Sequence, residues 1–184
     1  MRYPAAETAA KHERILDEAS RLFRERGFSG VSVAEIMKAT GLTHGPFYNH
    51  FDSKEALMAE SLAHASGKTL AGLGAARQSP EAMKAYVRSY LSMEHVEAPG
   101  AGCLMASLAT EIAREAPVKP SFTAHLKRSI AGMAEHFPFG SKRHARRDAI
   151  RLLSSMVGAV VLARATDDTE LAEEILREVR SAFE

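Results

Sequence analysis

The feature of this 184-residue sequence that most limits its fold is the spacing of its apolar residues. Between the prolines and glycines these residues recur at helical period, and no segment alternates as a β-strand does. Over residues 8–26, for example, Ile15, Ala19 and Phe23 lie on one stripe of a helix. Hydrophobic residues make up 46% and charged residues 26% of the chain, which is enough for a buried core. We therefore predict an all-α fold of about nine helices.

Composition also excludes several classes of protein. One cysteine, Cys103, rules out a disulfide within the chain and a thiolate-rich zinc site, so we expect a reducing compartment, no metal and no cofactor. The most apolar run, residues 156–163, is too short to span a membrane, and the N-terminal residues lack the apolar core of a secretory signal. We expect a cytoplasmic protein without membrane contact. The net charge of +1 neither requires nor excludes a polyanionic partner.

Local signals divide the N-terminal region into four helices. Gly27 is placed to end the first helix in a left-handed cap. Ser32 opens a short second helix with a glutamate three positions on, the pattern of a capping box, and Gly41 ends that helix. Thr43 is the N-cap of a third helix that runs to about residue 51, and Ser53 caps the fourth. Five further helices are expected at about residues 80–91, 103–115, 121–137, 141–165 and 169–183.

Residues 31–57 have the parts of a helix-turn-helix: a short capped helix, a glycine turn and a second short helix. Ile36, Phe47 and Phe51 are placed to anchor both helices against the first one. The residues left facing outward, which include an amide, a phenol and imidazoles, suit a DNA major groove. They are His44, Gly45, Pro46, Tyr48, Asn49 and His50. A helix-turn-helix shape used only for packing is the alternative.

This stretch resembles the DNA-binding domain of the TetR family of bacterial transcriptional regulators. The matching positions, in order, are Ser32, Ile36, Gly41-Leu42-Thr43, Gly45, Phe47-Tyr48, His50-Phe51 and Ser53-Lys54-Glu55-Ala56-Leu57. The resemblance implies a DNA-binding domain over residues 1–54 and a helical effector-binding and dimerisation domain over residues 55–184. It also implies a double-stranded DNA operator, a small-molecule effector and a homodimer as partners.

Carried over position by position, the resemblance assigns two kinds of DNA contact. The residues expected at phosphates are Ser32, Thr43, Tyr48, His50 and Lys54. Those expected at base edges are His44, Gly45, Pro46 and Asn49, with Asn49 the best candidate for an adenine edge. Two positions depart from the family: His44 stands where lysine is usual, and Pro46 offers only apolar contact.

The rest of the helical body contains candidates for an effector pocket. Methionine adapts to irregular shapes and tyrosine adds one polar group, so the residues favour a mostly apolar effector. The candidates are Met58, Leu62, Met83, Tyr86, Tyr90, Met93, Cys103, Met105, Leu108, Phe122, Leu126, Met133 and Phe137. The alternative for each of them is an ordinary place in the core.

Near its C-terminus the chain has a helix that is apolar nearly all round, as expected where a second subunit covers it. The candidate dimer residues are Leu152, Leu153, Met156, Val157, Val160, Val161, Ile175 and Val179. The alternative is a core helix of a monomer.

Cys103 follows a glycine-rich loop at a predicted helix N-terminus, a place that favours the thiolate. The stretch that it opens is similar to the corresponding part of an electrophile-sensing member of the family, which implies a sensor cysteine. A structural role is the alternative.

The predicted function is a ligand-responsive DNA-binding regulator, and specifically a repressor released by its effector. The sequence contains none of the common catalytic motifs, although Cys103 with His95 or His125 is conceivable as a nucleophile and base. We therefore do not expect an enzyme. A helical small-molecule-binding or adaptor protein without specific DNA binding stays open as the main alternative.

Overall fold

The computed structural model describes residues 5–43, 45–75 and 79–183. Within these ranges the chain forms nine α-helices, two 3-10 helices and no β-strand, which confirms the predicted all-α fold. The α-helices are α1 (Ala5–Arg26), α2 (Val33–Ala39), α3 (Lys54–Ala75), α4 (Pro80–Tyr90), α5 (Met93–Glu97), α6 (Leu104–Ile112), α7 (Lys119–His136), α8 (Ala145–Ala165) and α9 (Thr169–Ser181). The 3-10 helices are Gly45–Asn49, called the recognition segment below, and Ala116–Val118.

The predicted signals at the ends of α1 and α2 are confirmed. Gly27 and Gly41 have φ values of 75° and 69°, a region in which a side chain would be strained. Ser32 forms the predicted capping box: its Oγ accepts from the Glu35 amide at 3.2 Å, and the Glu35 carboxylate accepts from the Ser32 amide at 2.8 Å. Local chemistry thus sets where these helices begin and end.

Two elements differ from the prediction. The third helix is the five-residue recognition segment in 3-10 conformation, and not an α-helix from Thr43 to about residue 51. Glycine and proline open this segment, and so short a unit gains few α-helical hydrogen bonds, which favours the tighter 3-10 turn. The short helix α5 was not predicted; Ser92 caps it by accepting from the His95 amide at 3.3 Å.

The first of two buried clusters lies beneath the helix-turn-helix. It joins α1, α2, the recognition segment, the first half of α3 and α6. Phe23, Ile36 and Phe47 are its largest side chains from the first three elements, each with at most 1% of its surface exposed. Leu108 brings α6 into the same cluster, so the helical body packs directly on the helix-turn-helix region.

The second buried cluster forms the centre of the helical body. It is built by α4 to α9, with Leu152, Met156 and Val160 of α8 fully buried in its middle. Phe122 of α7 is packed against both clusters. The two cores are therefore continuous through α6 and α7.

Within the described ranges, no helix is both long enough and apolar enough to cross a bilayer. Nor does any group of three or more histidine, cysteine, aspartate and glutamate side chains in that part of the chain come together as metal ligands would.

Candidate nucleic-acid interface and ligand cavity

The recognition segment presents its outer side chains to solvent from a buried aromatic base. Phe47 and Phe51, with 1% and 3% of their surface exposed, fix it to the first core, with ring centroids 5.7 Å apart. Tyr48 is 68% exposed, and Thr43 and Asn49 are exposed as well. The segment therefore projects polar groups from a rigid base.

Gly45, the remaining glycine of the predicted contact set, is exposed and has open space around it. A Cβ added there would meet no atom within 4 Å, so the backbone is accessible to a large partner. The predicted contact residue His44 lies outside the described residues, as does the side chain of Pro46.

His50 is half-buried against α1. Its ring centroid lies 5.6 Å from that of His12, which in turn stacks on Phe51 at 4.6 Å. Burial lowers the pKa of His50, and the nearby His12 and Lys11 lower it further. At neutral pH the side chain is therefore an uncharged hydrogen-bonding group, and a phosphate would meet no cation at this position.

Lys54 and Ser32 are both engaged within the protein. The Lys54 Nζ donates to the Phe28 carbonyl at 2.6 Å and ties the start of α3 to the turn after α1. The Ser32 hydroxyl donates to Glu35 at 2.7 Å, and Arg26 pairs with the same carboxylate at 2.7 Å. Hydrogen bonds from the Ser32 amide and hydroxyl, then from Arg26, lower the pKa of Glu35 to about 2. The Glu35 carboxylate therefore already occupies the N-terminus of α2.

Arg14 and Lys38 are exposed cations that the sequence analysis did not assign to this surface. A Cβ at Gly41 would lie 3.1 Å from a terminal nitrogen of Arg14, which places this α1 side chain beside the turn of the helix-turn-helix. Lys38 is in the last turn of α2. The helix-turn-helix motif in the sequence does not indicate a role for Arg14, because only the packing of α1 places this side chain beside the turn.

Two histidine–carboxylate pairs join α1 to α3. His12 Nε2 lies 2.6 Å from Glu60, and His64 Nε2 lies 2.7 Å from Asp17. Together with the Lys54 contact, they fix the direction in which α3 leaves the helix-turn-helix region.

The helical body contains a cavity of about 330 Å³ between α4, α5, α6, α7 and α8. Five of the predicted effector residues line it: Tyr86, Tyr90, Cys103, Met105 and Met133. The structure places the other eight elsewhere. Met58, Leu62 and Leu108 are buried in the first core, and Met83, Met93, Phe122, Leu126 and Phe137 pack in or against the second.

The cavity also has walls that the pocket prediction missed. Five of these residues are polar: Ser89, Ser92, Glu94, His95 and Ser129. The other four are Ala98, Ala101, Gly102 and Leu153. Most of the nine belong to the short helix α5 and the loop after it, and the prediction of an apolar pocket did not include such polar residues. The cavity is therefore less apolar than predicted.

Two hydroxyl groups at the cavity are buried without a hydrogen-bond partner among the described residues, Tyr90 Oη and Ser129 Oγ. The Tyr90 phenol lies next to the Cys103 thiol. Burial is the main cause that raises the pKa of Tyr90 and of Tyr86 well above the ordinary range. Both phenols therefore keep their protons at neutral pH.

His95 connects α4, α5 and the start of α6. Its Nε2 accepts from the Cys103 amide at 2.8 Å, so its Nδ1 carries the proton and donates to the Tyr90 carbonyl at 2.6 Å. Burial lowers the pKa of His95, and the Arg164 charge acts in the same direction. Arg164 also donates to the His95 carbonyl at 2.7 Å. His95 is therefore a neutral structural link.

The cavity wall is joined to the helix-turn-helix region at two points. Arg24 of α1 donates from Nε to the Gly100 carbonyl at 2.8 Å, and a second Arg24 nitrogen donates to the same oxygen. At the other end of α6, Glu111 accepts from the Phe28 amide at 2.8 Å. The loop before α6 and the last turn of α6 thus both contact α1 or the turn that follows it.

The predicted dimer residues divide into two groups, which corrects that prediction in part. Leu152, Leu153, Met156 and Val160 have at most 4% of their surface exposed within one chain, so they are core residues of the body and not a surface. Val161 is 36% exposed, and Val157, Ile175 and Val179 are half-buried. Large exposed apolar residues that the prediction omitted are Ile150, Leu162 and Leu171.

Comparison with known proteins relates the helix-turn-helix region to a known family. Residues 15–61 match the model of the tetR family of bacterial regulatory proteins. The HTH-type transcriptional repressor KstR2 of Rhodococcus jostii (strain RHA1) is 44% identical over 62 residues, which cover 32% of this chain and 30% of that protein. This chain thus matches less than a third of that relative's length.

Solved structures extend the likeness in fold to nearly the whole chain. The reduced form of Escherichia coli NemR has a TM-score of 0.77 at 22% identity and covers 94% of this chain and 96% of its own. A TetR-family regulator from Agrobacterium tumefaciens has a TM-score of 0.77 at 22% identity, with 95% and 97% covered. Residues 15–61 are therefore similar to the helix-turn-helix region of the tetR family of bacterial regulatory proteins, and nearly the whole chain shares the fold of these solved structures.

Proposed function

We propose that this chain is a repressor that binds a pseudo-palindromic DNA operator as a homodimer and releases it when a small molecule occupies the cavity. Residues 1–54 would read the DNA, and residues 55–184 would bind the effector and form the dimer. Such a regulator would act in the cytoplasm. The observation that carries the proposal is the exposed recognition segment on its buried Phe47 and Phe51 base.

Two kinds of DNA contact follow from the exposed groups. Asn49 would pair with a base edge in the major groove, while Tyr48 and Thr43 would hold phosphates. Arg14 and Lys38 would add positive charge on the same surface. Lys54 and Ser32 would act mainly by holding the helix-turn-helix together, since both are bound to protein groups.

A twofold dimer would use the outer faces of α8 and α9. Ile150, Val161 and Leu162 of α8 and Leu171 of α9 are the large apolar residues most exposed in the helical body, with 36% to 58% of their surfaces open. Gly158, on the same side of α8, has no atom within 4 Å of its Cβ position and would allow close approach of a second chain. The dimer would set two recognition segments about one DNA turn, roughly 34 Å, apart.

Effector binding would reach the DNA-binding region through the loop at residues 98–102 and through α6. A ligand that moves this cavity wall would disturb the Arg24 contact to Gly100 and the Glu111 contact to Phe28. Either change would tilt α1 and alter the distance between the two recognition segments. The operator would then fit only the unliganded state, which is a population shift between two conformations.

The direct test is a gel-shift assay with the DNA that flanks the gene of this protein. Specific retardation at low salt supports the proposal, and competition by unrelated DNA sets the background. A ligand-binding protein that gives no specific shift would be the adaptor alternative, and the repressor proposal would be wrong.

Matched variants then separate the two kinds of contact. Tyr48→Phe removes one hydroxyl from a phosphate contact and should weaken binding to all sequences equally. Asn49→Ala should relax the preference at one base position, a contact worth about 1 to 3 kcal/mol. Equal loss on every DNA tested would refute base reading by Asn49.

A second candidate is regulation through oxidation or alkylation of Cys103. The thiol is half-buried at the cavity, at the N-terminus of α6 and beside the Tyr90 phenol. One structural neighbour, NemR, was crystallised in a form described as reduced. This candidate predicts that hydrogen peroxide or iodoacetamide releases the operator from the wild type but not from Cys103→Ser. Release of both proteins would show that the thiol is not the sensor.

A further inference from the structure

The cavity offers more hydrogen-bonding capacity than the protein itself uses. Ser129 of α7 has 1% of its surface exposed, and the Tyr90 hydroxyl at the end of α4 is buried as well. The Ser129 oxygen has no hydrogen-bond partner among the described residues, and the Tyr90 oxygen has only the Cys103 thiol, a weak acceptor, beside it. A buried hydroxyl without a partner destabilises the empty protein, and a ligand atom that pairs with it removes this cost.

The partner that the two hydroxyl protons lack is a hydrogen-bond acceptor. The Tyr90 phenol stays protonated, because burial raises its pKa, so it enters any complex as a donor. A serine hydroxyl also carries one proton to donate. An oxygen of the carbonyl type has two lone pairs and is able to accept from both.

The charges around the cavity favour an uncharged ligand. No lysine or arginine is among the described residues that line it, and the nearby Arg164 already donates to the His95 and Val96 carbonyls and to the Ser107 hydroxyl. A carboxylate or phosphate would therefore be desolvated without a cation to bind it directly. Glu94, the one acidic residue of the wall, is exposed and would repel such an anion. His95 supplies no positive charge, because both of its ring nitrogens are occupied by backbone groups.

The remaining walls fix size and shape. Tyr86, Met105, Met133 and Leu153 give the cavity aromatic and aliphatic surfaces, and a volume of about 330 Å³ is at the lower end of small-molecule sites. We propose that the cavity selects small, uncharged ring compounds with a carbonyl-type oxygen, which accepts hydrogen bonds from Tyr90 and Ser129. This assignment rests on the proposed effector role of the cavity and names the chemistry of its ligand.

The test uses three naphthalene probes of matched shape on the full chain: 1-acetonaphthone, 1-ethylnaphthalene and 1-naphthoate. They present a neutral acceptor, no acceptor and an anion in turn. Equilibrium dialysis gives the dissociation constant of each probe for the wild type, Tyr90→Phe and Ser129→Ala. Each variant should weaken 1-acetonaphthone about three- to tenfold and leave 1-ethylnaphthalene unchanged within about twofold.

Ser20→Ala is the matched control, because it deletes a buried hydroxyl of α1 that also has no partner among the described residues but does not line this cavity. Its effect on the binding of 1-acetonaphthone should stay within about twofold.

Thermal unfolding adds a readout that does not need a ligand. Loss of an unpartnered hydroxyl should leave the midpoint of Tyr90→Phe and Ser129→Ala unchanged or raise it, whereas a lower midpoint in both would show that the hydroxyls are already bonded.

Each contrary outcome identifies what failed. If Tyr90→Phe weakens both neutral probes equally, the hydroxyl acts through shape, and the acceptor assignment is wrong. If 1-naphthoate binds more tightly than 1-acetonaphthone, the ligand class is anionic. If no probe binds, the cavity is not the effector site, and a specific gel shift measured on the same preparation shows whether DNA binding survives that result.

Discussion

Lowering the pH from 7.5 to 5 should destabilise this protein through one buried histidine, His125 of α7. Its Nδ1 lies 2.7 Å from the Ser66 hydroxyl of α3, and the same hydroxyl accepts from Arg128 at 3.0 Å. The Ser66 hydroxyl can donate its own proton to an unprotonated Nδ1 while it accepts from Arg128. Burial and the Arg128 charge both disfavour a protonated ring, so the fold favours neutral His125 where α3 meets α7.

The size of the effect follows from the pKa. Burial, with the Arg128 charge in second place, lowers the pKa of His125 from its usual 6.5 to about 4. Between these two values the unfolded chain binds a proton that the folded chain does not. Stability from this group is thus complete above pH 6.5 and is lost as the pH falls toward 4. The linkage relation gives a loss of about 2 kcal/mol between pH 7.5 and pH 5.

The assay is urea unfolding followed by circular dichroism at both pH values, at one protein concentration. His125→Asn keeps a hydrogen-bonding nitrogen or oxygen near Ser66 but cannot titrate. Its loss of stability over the same pH step should be smaller than that of the wild type by about 2 kcal/mol. His144→Asn, the same change at an exposed histidine, is the control and should behave as the wild type does. Equal losses in the wild type and His125→Asn would show that the fold does not hold His125 neutral.

Three further predictions concern coupling, assembly and the recognition base. Arg24→Ala removes the contact to Gly100 and should therefore weaken operator binding about tenfold without any ligand, measured by gel shift. Arg21→Ala, which loses only pairs within α1, is its control. Leu162→Glu should give monomers in light scattering with helix content unchanged, since this side chain is 58% exposed, while Arg151→Glu on the same helix should stay dimeric. Phe47→Ala should lower the free energy of unfolding by about 3 to 5 kcal/mol, because the ring is 99% buried in the first core.

The sequence predicted features that depend on neighbours along the chain. Gly27, Gly41 and the Ser32 capping box were correct because a positive φ or a cap is settled within four or five residues. The all-α class was also correct, since helical period is a property of a single segment. The α-helical form predicted for the recognition segment was wrong, because five residues that begin with glycine and proline are too few for periodicity to decide between α and 3-10 geometry.

The lining of the candidate cavity could not be predicted from local sequence patterns. Met58 and Leu62 look as suitable for a pocket as Met105 and Met133, yet the first pair lies in the core under the helix-turn-helix. The hydrophobicity of a side chain predicts only that it is buried away from water. Which side chains then face one another, and where a gap is left between them, depends on how distant helices pack.

Alone, the sequence determined the helices, their caps and the outward side of the recognition segment, because each is fixed by the period and the backbone preferences of a few consecutive residues. Tertiary structure decided that Arg14 reaches the turn of the helix-turn-helix, that α8 buries Leu152 and Met156 inside its own chain, and that Tyr90 and Ser129 share one cavity. These are contacts between residues far apart in the chain. They exist only once the helices have packed, since packing alone sets which faces meet and which polar groups stay without a partner.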